Sequence, residues 1–88
     1  MKLMVIILSS QDVENVRARL VEARIGVTQI ASTGGYLRRG NTTLLVGTEE
    51  NRVDAVLDLL RDSTGEPEKE GQRRATVFVI DVDRFDQI

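Results

Sequence analysis

Gly35 and Gly40 enclose Tyr36, Leu37, Arg38 and Arg39 and are followed by Asn41 and Thr42. That interval is the one used by phosphate-binding loops, in which glycine amides cradle an anion and a terminal hydroxyl meets a metal ion. Asn41 stands where such a loop requires lysine, and the flanking residues read as two strands, not as a strand entering a helix, so nucleotide hydrolysis is excluded. Binding chemistry remains. Over residues 23–48 the only charges are Arg24, Arg38 and Arg39, a local +3 in a chain whose net charge is -2. The ring of Tyr36, the neighbouring Leu37, free glycine amides, the arginines and the two-way hydrogen bonding of Asn41 suit a phosphorylated base or another organic anion. A glycine-rich hairpin connection by itself also accounts for Gly34, Gly35 and Gly40, through their freedom at positive φ. Both readings stand at this level.

Other chemistries find less support. The chain has no Cys and no His, which removes disulfides, thiolate nucleophiles, imidazole bases and the usual zinc and haem ligand sets. Thr28 and Thr33 lack a base within residues 23–48, because the remaining bases are carboxylates that lie elsewhere. Asp81, Asp83 and Asp86 offer oxygen ligands, but the glycine and terminal Glu of a calcium loop are missing, and a solvated acidic tail is the simpler reading. No catalytic residue, metal site or cofactor is expected.

The elements that must carry the glycine loop follow from hydrophobic spacing. Residues 3–8 are apolar on both alternating sets and too short for a helix, so they form a strand covered on both faces. Cap-forming residues at 9–12 precede Val13, Val16 and Leu20, whose spacing predicts a helix running to about Arg24. Residues 25–33 lean toward a strand, 36–41 toward a loop and 42–47 toward another strand, paired with its predecessor as an antiparallel hairpin. Thr48 is placed to cap a second helix, with Val53, Val56, Leu57 and Leu60 along one face. Residues 62–74 hold the only Pro and no apolar residue, which predicts a mobile surface loop, and 75–80 form the last strand before a polar tail. The order βαββαβ predicts an α+β, ferredoxin-like domain over residues 1–88: a four-stranded antiparallel sheet with two helices on one face.

That architecture leaves one sheet face open while two of the four strands carry apolar residues there as well. A chain of 88 residues folded alone buries only about 60 to 65% of its unfolded surface, so packing open faces together in a symmetric oligomer is the expected completion of the core. The mild net charge of -2 points away from nucleic acid and anionic membranes. Residues 3–8 fall short of a signal peptide's hydrophobic region, and a cytoplasmic protein without membrane insertion is expected.

The run Ala31-Ser32-Thr33-Gly34-Gly35-Tyr36-Leu37-Arg38-Arg39-Gly40-Asn41-Thr42-Thr43 lies within a longer matching stretch, residues 27–47. With Arg52-Val53-Asp54, Ala75-Thr76-Val77-Phe78-Val79 and Asp83-Arg84-Phe85-Asp86-Gln87, it resembles the PII-like cyclic di-AMP receptor family over nearly the whole chain. The resemblance implies a PII-like homotrimer, a non-catalytic signalling role, and cyclic di-AMP held in clefts between subunits. It implies ligand contacts from Thr28, Gly35, Tyr36, Leu37, Asn41, Gly47 and Gln87, with Tyr36 where Phe is usual; Arg38 and Arg39 join them as cations beside the loop. Gly26 occupies a position where the family commonly has Arg, with Arg24 or Arg38 as possible substitutes, and the loop at 62–74 is shorter than in many members. A different nucleotide or anion in the same cleft, or a trimeric interaction module without a small ligand, are the alternatives. The downstream protein partner is not legible.

Overall fold

The computed structural model describes residues 1–30, 40–65 and 73–88. The chain order is β1 (Lys2–Ser9), α1 (Val13–Glu22), β2 (Val27–Ile30), β3 (Asn41–Thr48), a 3-10 turn (Glu50–Arg52), α2 (Val53–Ser63) and β4 (Ala75–Asp81). The four strands form one antiparallel sheet in the order β2-β3-β1-β4, the ferredoxin-like arrangement expected from the sequence. Among the described residues no helix is long and apolar enough to cross a membrane.

Side-chain alternation divides the sheet cleanly. Met4, Ile6 and Leu8 of β1 and Leu44 and Val46 of β3 are buried on the face that receives Val13, Val16 and Leu20 of α1 and Val56 and Leu60 of α2. Full burial of such side chains contributes about 1.5 to 3 kcal/mol each, so these aliphatic contacts dominate the fold's stability. The register puts Leu3, Val5 and Ile7 on the opposite face, beside Leu45 and Thr43 of β3, Thr28 and Ile30 of β2 and Phe78 and Ile80 of β4. Phe78, Ile80 and Ile30 are exposed there at 54%, 47% and 41%, while Val5 and Ile7 are only half-buried. In a single chain β1 is therefore fully covered on one face alone.

Helix α1 stops through a left-handed residue. Arg24 has φ +59, its N–H donates to the Val21 carbonyl at 2.9 Å, and the Ile25 N–H reaches back to the Leu20 carbonyl at 2.9 Å. This is a Schellman closure with buried Ile25 lying near Leu20, built on arginine where glycine is usual. The helix accordingly ends at Glu22, slightly earlier than the apolar spacing implied.

Three local expectations are corrected. Thr48 does not cap α2; it is the last residue of β3 and is buried, and a 3-10 turn intervenes before Val53. Asn41 is not in the loop but begins β3, opposite Ser9. The segment 62–74 is not a free loop throughout, because Asp62 and Ser63 complete α2 and Arg74 is anchored. Ser63 is buried, its hydroxyl donates to the Leu59 carbonyl at 2.6 Å, and its own carbonyl accepts from the Asn15 amide at 2.8 Å. Residues 66–72 of that segment lie outside the described residues, as do residues 31–33 of the expected second strand.

Candidate ligand cleft

A cleft of about 600 Å³ opens at the end of the sheet where β1 and β2 begin and β3 and β4 finish. Its floor is strand: Leu3 from β1, Val27 and Thr28 from β2, Leu45 and Gly47 from β3. Its remaining wall comes from the segment after β4, which crosses over from the sheet edge. The Val82 N–H donates to the Met1 carbonyl at 3.1 Å, and Val82, Phe85 and Gln87 then line the opening.

Lys2 and Asp81 are register partners on β1 and β4, and their side chains form an ion pair where the crossing segment begins. The hydrogen bond from Lys2 holds the Asp81 carboxyl below the usual carboxylate range, and the same bond holds the Lys2 ammonium above its ordinary value. Stability drawn from a depressed carboxylate is lost as acid protonates it, and stability drawn from a raised ammonium is lost as alkali removes its proton; the pair is therefore intact across the neutral range. Asp81 thus closes β4 and pairs with Lys2, while its side chain remains largely exposed.

Of the residues singled out in the sequence, Thr28, Gly47 and Gln87 line this one cleft, although they come from β2, β3 and the last segment of the chain. Gly26 lines it as well. A Cβ added at Gly26 or at Gly47 meets nothing within 4 Å, and neither requires positive φ, so neither glycine answers a packing or backbone demand within the chain. Gly47, inside β3 with no such demand, has the character of a strand glycine at which a ligand or another backbone approaches closely, whereas Gly26 precedes β2. Gly40, by contrast, has φ +89 and takes the turn into β3.

Asn41 is not at the cleft. It sits at the opposite end of β3 from Gly47, roughly 20 Å away at the rise of a strand. Gly35, Tyr36, Leu37, Arg38 and Arg39 lie outside the described residues. Phe85 and Leu45 are cleft residues that pattern reading overlooked: Leu45 looked like ordinary strand, and Phe85 carried no spacing signal in a polar tail. Arg24 and Arg52 lie near the end of α1, where the Arg52 guanidinium donates to the Ala23 carbonyl at 3.4 Å.

Two comparisons bear on this arrangement. A sequence profile of the family described as cyclic-di-AMP receptor matches residues 1–70. A crystal structure of a functionally unknown protein from Pediococcus pentosaceus ATCC 25745 aligns with a TM-score of 0.78 at 29% sequence identity, covering 99% of this chain and 96% of that one.

Proposed function

The chain belongs to the cyclic-di-AMP receptor family, and from that membership we propose a non-catalytic, cytoplasmic signalling protein that binds cyclic di-AMP in clefts between the subunits of a homotrimer and passes that state to a protein partner. The observation that carries the reading is the meeting of Thr28, Gly47 and Gln87 around one cleft. A hydroxyl, an amide and bare strand backbone offer hydrogen bonds of both polarities to a nucleotide.

The position of Asn41 supports a site shared between copies. One chain does not present both Asn41 and Gly47 to a ligand in a 600 Å³ cleft, so a site that uses both draws them from neighbouring subunits. The open sheet face, with Phe78, Ile80 and Ile30 exposed, supplies the apolar surface for such an assembly. Residues 35–39 would then belong to the portion contributed across the boundary, with Tyr36 stacking on a base and Arg38 and Arg39 facing phosphate.

Calorimetric titration of the purified protein with cyclic di-AMP tests the reading, together with the rise in melting temperature that a ligand specific to the native state must produce. A second reading is favoured by Gly26, which lines the cleft where the family commonly has Arg: a different nucleotide or anion in the same place. Response to another adenine nucleotide and none to cyclic di-AMP selects that second reading. No response to any nucleotide selects a ligand-free trimeric interaction module.

A further inference from the structure

Neither of the chain's two phenylalanines enters the core, which is built from aliphatic side chains. Phe78 lies on the open sheet face. Phe85 is different. It is 61% exposed and belongs to a segment without helix or strand, yet it lines the cleft. Along that segment Phe85 and Gln87 line the opening, whereas the alternate residues Arg84 and Asp86 are occupied with each other, Nε to Oδ2 at 2.7 Å. The segment is joined at its start to Met1, just before β1, by the hydrogen bond from Val82, and beyond it the Phe85 ring lines the cleft without being buried.

The cleft also has the polarity of a nucleobase. A purine has two apolar faces and a polar rim. Here Leu3, Leu45 and Phe85 provide apolar surface, while Thr28 and Gln87 provide hydrogen-bonding groups. The floor at Gly47 has no side chain to prop a flat ring away from the backbone, since even a Cβ there would stand in open space.

We propose that Phe85 is a base-stacking residue of this cleft, its ring lying against one purine of the bound dinucleotide while Gln87 and Thr28 meet polar edges. The assignment rests on the cyclic di-AMP reading and adds to it a recognition element from the last residues of the chain. Stacking on an aromatic face is indifferent to base edges, so Phe85 supplies affinity for a purine and leaves discrimination between bases to the polar neighbours.

The test compares wild type with Phe85→Leu and Phe85→Trp by calorimetry with cyclic di-AMP, with melting temperature and sedimentation measured in parallel. Phe85→Leu keeps apolar bulk but removes the π-face; it should weaken binding roughly tenfold or more while melting temperature and assembly are unchanged. Phe85→Trp should retain binding, and because the chain contains no tryptophan, the new side chain is a single reporter whose fluorescence should be quenched as the ligand saturates. Wild-type affinity in Phe85→Leu, or unquenched fluorescence in Phe85→Trp at saturation, overturns the assignment of Phe85 and leaves the ligand reading in place. Loss of assembly in Phe85→Leu also overturns it, because the ring would then be a subunit contact. Absence of heat with the wild-type protein overturns the ligand reading itself and this assignment with it.

Discussion

Asp12 and Arg74, 62 residues apart in sequence, meet in a two-point ion pair, with Nε donating to Oδ2 at 3.1 Å and Nη2 to Oδ1 at 3.0 Å. Their side chains are only 10% and 14% exposed, and the Gly65 N–H also donates to Asp12 at 3.4 Å. Asp12, at the N-terminus of α1, is therefore spent on holding both ends of the 66–72 segment instead of capping its own helix. Removing one partner of a nearly buried pair leaves an uncompensated charge and costs about 3 kcal/mol. Arg74→Ala should lower the melting temperature by more than 10 °C, at roughly 4 °C or more per kcal/mol for a domain of this size. Replacing residues 66–72 with a Gly-Ser linker of equal length should leave it nearly unchanged, and thermal denaturation of the two variants checks the contrast.

The two cleft glycines carry opposite expectations. Both tolerate a Cβ without collision within the chain, so Gly47→Val and Gly26→Arg should fold normally. Valine at 47 puts a branched side chain on the cleft floor and should weaken cyclic di-AMP binding about tenfold or more, a loss of about 1.4 kcal/mol. Arginine at 26 adds a cation to a lining whose Lys2 is already paired with Asp81, and should tighten binding by about 1.5 kcal/mol or more through a charge-assisted hydrogen bond to phosphate. Calorimetric titration separates the two effects, and weaker binding in Gly26→Arg would place the phosphates elsewhere.

A site shared between subunits permits complementation. Asn41→Ala and Gln87→Ala should each weaken binding by about 1 to 3 kcal/mol through polar groups left unpaired. Unfolding and refolding the two variants together should recover wild-type affinity in a fraction of sites, because some boundaries then combine an intact Asn41 with an intact Gln87. No recovery in the mixture would mean that one chain supplies both residues.

Assembly should depend on the open face. Phe78→Asp places a charge among Val5, Ile80 and their neighbours, where an oligomer would have to bury it unpaired. Sedimentation equilibrium should report a trimer of 9.8 kDa subunits for wild type and a smaller species for this variant. A wild-type protein that remains a folded monomer at micromolar concentration would remove the basis for a trimer.

Arg24 gives a prediction of opposite sign. A non-glycine residue at φ +59 is held in a conformation that costs roughly 1 kcal/mol, which glycine does not incur. Arg24→Gly should raise the melting temperature by several degrees, and a fall would mean that the arginine side chain contributes more than its backbone costs.

The fold was legible because each strand and helix carries its own periodicity. Both alternating sets of residues 3–8 are apolar, and the spacing from Val53 to Leu60 admits only one face. The errors fall where two roles compete for one residue. Thr48 and Asp12 have good capping chemistry, but strand pairing claimed the first and Arg74 the second. The ion pair to Arg74 had no sequence signal, since its partners are far apart and flanked by other charges. Thr28, Gly47 and Gln87 entered through a resemblance between sequences; no local pattern announces that three separate segments converge on one cleft. Phe85 entered only as part of the matched string at 83–87 and was given no role, because a single aromatic in a polar tail has no period to read.

The strand order also sets a timetable for folding. β1, the first strand in the chain, lies in the middle of the sheet, with β3 on one side and β4 on the other; its Lys2 is paired with Asp81, 79 residues later. The α1 and β3 contacts can form while the chain is still being made, but the other edge of β1 stays unpaired until the last strand emerges, and pairings of such long sequence separation form slowly. During that interval the ladder from Leu3 to Leu8, apolar on both faces, is an open edge of the kind that templates aggregation. Variants that delay or weaken β4 should therefore reveal themselves first as insoluble protein during synthesis, before any loss of ligand affinity can be measured.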